Sequence, residues 1–221
     1  LRLICEQSCM VVDLTHFETN LWPAWVALFA VNASRPGSFS WLPAARRNAS
    51  EGVSLYGATD LVYATHAVGL LDAVSSADRA SWAELINSMQ DAQTGWYSTQ
   101  PWEKQNVGNW PWHPTHACVE TLRLLGSKPT APMSAVAAIL RNESAWEPWM
   151  DDNLANNTDV WGGSQQAQSL PGIARSADPS ETFAICDWAI KWLGAHADPD
   201  TSYLAGKPPN RVHQLGGAFH I

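Results

Sequence analysis

DLVYATHAVGLLDAVSSADRASWAELINSMQDAQTGW (60–96) and, after a stretch rich in Trp and Pro, THACVETLRLLG (115–126) read together as helix, helix, turn and helix. In 60–74, Leu61, Thr65, Val68 and Leu71 recur at helical spacing behind Asp60, which stands where an N-cap is expected. In 78–90, Trp82, Leu85, Ile86 and Met89 fall on one stripe. So short a link as Ser75-Ser76-Ala77 predicts an antiparallel hairpin. The outer helices share a tripeptide, Thr65-His66-Ala67 and Thr115-His116-Ala117, fifty residues apart, and Thr15-His16 stands fifty residues earlier still. A recurring period of this size points to a repeated supersecondary unit.

The turn in that stretch has its own chemistry. Asp91-Ala-Gln-Thr94-Gly95-Trp96 matches Asp198-Pro-Asp-Thr201-Ser202-Tyr203 as Asp, two residues, Thr, a small residue and an aromatic. Such a helix exit predicts that the Asp side chain accepts from N–H groups two residues on, that the small residue takes the turn, and that the aromatic packs back.

Outward from this core the chain is less regular. Proline is tolerated only in a first helical turn, so Pro23 places a helix start near Asn20. Residues 32–58 read as loop, 132–142 as a helix, and 180–195 as a helix opened by Ser180 and closed near Gly194. Residues 143–179 carry Trp146, Trp149, Trp161 and Gly162-Gly163 and read as a long insertion with one short helix around 164–174.

Composition sets bounds on function. The chain has 221 residues, 46% hydrophobic and 15% charged, and it contains no apolar run long enough for a membrane span. A net charge of −8 excludes a nucleic-acid partner, whose phosphates need a basic surface. Four sequons, at Asn32, Asn48, Asn142 and Asn156, fit a secreted or lumenal protein. Cys5 and Cys9 are spaced for a small loop disulfide, Cys118 and Cys186 for buried thiols, and no zinc-ligand spacing occurs. The start at Leu1 and the helix-like Gly216–Ile221 lead us to expect a processed chain or a fragment of a longer one.

Thirteen Trp stand against five Phe and four Tyr. Trp96, Trp102, Trp110, Trp112, Trp146, Trp149 and Trp161 lie in Pro- and Gly-rich segments, where an indole stacks on a ligand such as a sugar ring or plugs a loop. Glu103, Glu147, Asp151, Asp152 and Asp159 stand among them, as a pair of hydrolytic carboxylates requires. Arg175, with Arg46 and Arg47, offers a forked donor for a uronate carboxylate. His66 and His116 sit near helix starts, where the dipole favours the neutral imidazole of a general base; Tyr63 lies one turn before His66. The alternative for Thr-His-Ala is a helix-packing signature. No Gly-rich phosphate loop, Gly-x-Ser-x-Gly elbow or His-Glu-x-x-His helix is present, so phosphoryl transfer, serine hydrolysis and zincin chemistry drop out.

The segment SWAELINSMQDAQTGW (81–96), followed by the Thr-His-Ala helix, resembles the α/α-toroid superfamily, in which helix hairpins ring a central cavity. It is similar to the repeats of terpenoid cyclases and protein prenyltransferases, where Gln and Gly-x-Trp-like elements end a helix, and to those of six-hairpin glycosidases. The resemblance covers 60–126 and 180–221. It implies an all-α toroid, or part of one, in a single domain with long Trp-rich loops. Fold does not fix chemistry. Asp151-Asp152 and Asp198-Pro-Asp200 lack the spacing of a cyclase acid motif, and Cys186-Asp187 lacks that of a prenyltransferase zinc site. The leading expectation is therefore a carbohydrate-active enzyme, a lyase, hydrolase or epimerase, working on a glycan without metal or cofactor in a Trp- and His-lined cavity. Two alternatives are a terpenoid-cyclase or prenyltransferase-like enzyme, favoured by apolar cavity walls without polar convergence, and a non-catalytic glycan-binding or scaffold module.

Overall fold

A computed structural model describes residues 2–4, 11–13, 15, 19–20, 22–30, 53–98, 111–156, 159–177 and 182–200. Helix dominates them. The chain divides into two compact units, Leu1–Ile86 and Asn87–Ile221.

In the first unit, β1 (Arg2–Ile4) pairs antiparallel with β2 (Val11–Asp13), Leu3 opposite Val12. Helix α1 (Trp22–Phe29) carries Pro23 in its first turn, the one place where a missing N–H is harmless. Helix α2 (Leu55–Ala67) starts five residues before the expected Asp60. The cap is Ser54, whose Oγ accepts the N–H of Gly57 at 2.9 Å. Its buried face holds Leu55, Tyr56, Leu61 and Val62. A 3-10 turn (Leu71–Ala73) leads to α3 (Ser76–Asn87), where Ser75 accepts the N–H of Asp78 and donates to its carboxylate. Trp82, Leu85 and Ile86 form the buried stripe, as the periodicity predicts.

The second unit opens with the 91–96 turn. Asp91 Oδ1 accepts from the N–H groups of Gln93 and Thr94 at 3.0 and 2.8 Å, and Gly95 takes φ +82°. A Cβ on Gly95 would stand 2.5 Å from the Pro132 carbonyl oxygen, so backbone approach and handedness both demand glycine. The matching site begins the same way, Asp198 accepting the N–H of Asp200 at 3.0 Å; its remainder lies outside the described residues. Gln90 joins this turn to the 130–133 segment. Its Nε2 donates to the carbonyls of Gly95 (3.1 Å) and Ala131 (3.0 Å), and its Oε1 accepts from the N–H groups of Thr130 (3.0 Å) and Ala131 (2.8 Å).

Beyond it run α4 (Trp112–Leu124), α5 (Ser134–Leu140), α6 (Glu143–Met150), a π-helical turn (Asp151–Ala155), α7 (Val160–Ala177) and α8 (Thr182–His196). The expected loop over 143–179 is thus largely helix. Gly162, Gly163, Pro171 and Gly172 argue against helix by propensity. Burial overrides that, because Leu170, Ile173 and Ala174 are almost wholly enclosed and the small residues admit α4 at close range. Trp112, Trp146, Trp149 and Trp161 accordingly sit in helices, not in Trp-rich loops. The unit's core gathers Trp112, Val136, Trp146, Leu154, Ile173 and Trp192. Among the described residues no helix is long and apolar enough to cross a membrane.

Candidate functional site

The two Thr-His-Ala tripeptides put their threonines inside. Thr65 Oγ1 donates to the Leu61 carbonyl at 2.7 Å, and Thr115 Oγ1 accepts the N–H of Tyr97 at 3.1 Å. Tyr97 is itself fully buried, donates to Asn87 Oδ1 at 3.1 Å, and has its phenol pKa pushed upward by burial. A shared threonine that packs and bonds favours the packing-signature reading of the repeat.

The histidines differ. His66 is exposed on α2, with Tyr63 half-buried one turn earlier. His116, on α4, lies so close to α7 that a Cβ on Gly172 would stand 2.6 Å from its Cδ2 and Nε2. Burial lowers its pKa, and Glu120 one turn on works weakly in the opposite direction. The neutral imidazole expected here is thus produced mainly by desolvation against α7. Because the folded pKa lies below the unfolded 6.5, this neutral form favours folding above pH 6.5, and stability falls as pH drops through the folded pKa. Thermal midpoints of the wild type should decline on acidification below pH 6.5, and His116→Gln should flatten that part of the profile. An unchanged slope would mean that His116 is not the titrating group.

The tryptophans named from the sequence converge in part. Trp112 is buried between Trp96 and Trp149, with ring centroids 5.0 and 4.9 Å away. Trp112 is thus covered, while Trp96 and Trp149 are each half-buried. Trp161 is 41% exposed and Arg175 is exposed, at opposite ends of α7. Trp102, Trp110, His16, Glu103, Arg46, Arg47 and the Cys5–Cys9 pair lie outside the described residues.

Asp151, one of the named carboxylates, has a structural partner set. Its Oδ1 accepts the indole N–H of Trp192 at 2.8 Å and stands 3.5 Å from Nε2 of His196. The His196 ring stacks on Trp192 at 4.1 Å, with Nδ1 2.9 Å from the Trp192 carbonyl oxygen. Nδ1 is engaged by the Trp192 carbonyl and Asp151 by the indole N–H, so this cluster ties the π-helical turn to the end of α8.

A cavity of about 350 Å³ opens between α6, α7 and α8. Its walls are Trp146 and Met150 from α6, Leu170 and Pro171 from α7, and Ile185 and Leu193 from α8. Among the described lining residues none is charged; Gln168 and the thiol of Cys186 supply polarity, and Ile190 is 68% exposed. Cys118 is buried and Cys186 half-buried, and no group of three or more His, Cys, Asp or Glu among the described residues could hold a metal ion. Of the tryptophans expected from the sequence to face a pocket, Trp146 lines this cavity; among the other described residues named as catalytic or substrate-binding, none does. The signal was apolar residues on successive helices, indistinguishable in sequence from core. No protein-family model, curated protein or solved structure matches this chain.

Proposed function

We propose that this chain is an α/α toroid, or partial toroid, of helix hairpins and that it binds an apolar small molecule, of isoprenoid character, between α6, α7 and α8. One observation carries the reading: the cavity is of small-molecule size, within the usual range of about 300–1,000 Å³, and its walls are apolar without convergent charge. The serial order α4 to α8 and the Gln90 clamp at a helix exit support the toroid. A secreted or lumenal setting is supported by Asn142 and Asn156, the two described sequon asparagines, which are both exposed.

The glycan reading remains as the second proposal. It rests on the Trp96–Trp112–Trp149 group, whose outer members are half-buried, and on exposed Trp161. Titration with the apolar fluorophore N-phenylnaphthylamine separates the two. Burying roughly 200 Å² of ligand surface at about 25 cal/mol per Å² supplies about 5 kcal/mol, which sets binding near ~200 μM. Saturable fluorescence enhancement, reversed by farnesol and not by uronic or neutral oligosaccharides, is expected. Oligosaccharide binding with no uptake of the fluorophore would overturn the apolar reading in favour of the glycan one.

A further inference from the structure

Resting on the apolar-ligand reading, we infer that the occupant of this cavity is uncharged and ends in a hydroxyl group, which Pro171 and Ala167 prepare the wall to accept. The charge limit comes from the lining. No Lys, Arg, His, Asp or Glu stands among its described residues, so a carboxylate, phosphate or ammonium head drawn inside would lose water and gain no counter-charge. A molecule with such a head would have to leave it outside and forfeit part of its burial.

The hydroxyl comes from the backbone. Pro171 stands inside α7, and proline has no N–H to offer the carbonyl four residues before it. That carbonyl belongs to Ala167, and Ala167 and Pro171 both line the cavity. On this inference the wall offers the Ala167 carbonyl, which Pro171 deprives of its in-helix donor, and a donor on the ligand satisfies it where an ether or hydrocarbon does not. A carbonyl accepts and cannot donate, so the Ala167 position itself selects an alcohol over an acceptor-only head. The side-chain amide of Gln168, the residue after Ala167, is exposed beside the site and suits the same neutral head.

Cys186 gives a local readout, because its thiol is half-buried and lines the cavity. The full chain is alkylated with iodoacetamide in the presence of decanol, decyl methyl ether, decanoate or decylammonium, and modification of Cys186 is followed by peptide mass mapping. Displacement of N-phenylnaphthylamine by the same compounds gives the ranking independently of the thiol. Decanol should protect best, the ether about fivefold more weakly for want of one hydrogen bond, and the two charged compounds about tenfold more weakly or worse. Pro171→Ala restores the helix N–H and favours helix, so it should fold. In it, decanol should fall to the level of the ether while the ether is unchanged. Equal protection by the charged compounds, or a decanol advantage that survives Pro171→Ala, would overturn the inference and leave the apolar-ligand reading standing. Failure of all four compounds would remove that reading and the inference with it.

Discussion

Trp146→Ala is expected to destabilise the Asn87–Ile221 unit by about 4 kcal/mol, the loss typical of a large aromatic removed from a core. Trp146 is 2% exposed, sits in the unit's hydrophobic cluster and lies 6.2 Å, centroid to centroid, from the Trp188 ring. It also carries a liability, since its buried indole N–H has no hydrogen-bond partner among the described residues. An unmade bond of that kind costs the native state about 1–3 kcal/mol. Trp146→Phe keeps most of the ring and deletes the orphan donor, so the two effects nearly offset, and its cost should be about 1 kcal/mol or less. Denaturant midpoints for both variants measure the difference. A Phe variant as unstable as the Ala variant would show that the indole N–H is satisfied after all.

Gln90→Ala is the second large effect, at about 3 kcal/mol. The amide makes four hydrogen bonds to backbone groups of two segments far apart in sequence, and each is worth about 0.5–1.5 kcal/mol net. Solvent reaches part of the site, so the orphaned groups are partly rehydrated, which keeps the total below the sum of the bonds. Gln90→Glu sharpens the test. A carboxylate still accepts from Thr130 and Ala131 N–H, but its other oxygen faces the carbonyls of Gly95 and Ala131, acceptor against acceptor. It should lose nearly as much stability as the Ala variant at neutral pH. A fully stable Glu variant would mean that the two donated bonds contribute nothing.

These residues also show what a sequence makes legible. The 90–96 turn was readable because its chemistry is local: Asp91 reaches N–H groups two and three residues on, and only glycine tolerates the φ of Gly95. Helices α3 and α4 were readable from periodic apolar positions and their stops. Helix α7 was not. Its Gly and Pro content speaks for loop, and the reason it is helical lies in α4, some fifty residues earlier, pressed onto Gly172 through His116. The start of α2 was missed because Ser54 is as good a cap as Asp60, and burial of Leu55 and Tyr56 decides between them.

The candidate site followed the same rule. His116 was legible as a helical histidine and as a neutral one, while the burial that makes it neutral depends on a partner helix. Asp151 was legible as a carboxylate among tryptophans, and its use as an acceptor for Trp192 depends on where α8 ends. The cavity was not legible: its α6 and α7 walls fall in the stretch that reads as an insertion, and a Leu or Ile facing a hollow has the same pattern along a helix as one facing a neighbour.

The central claim is that an apolar molecule enters between α6, α7 and α8. Methyl-labelled protein titrated with geraniol and followed by carbon–proton correlation spectra tests this most directly. The account predicts shifts concentrated on Met150, Leu170, Ile185, Ile190 and Leu193, with methyl groups of Leu61 and Leu85 unmoved. Shifts concentrated on Leu61 and Leu85, or none at saturating alcohol, would contradict it.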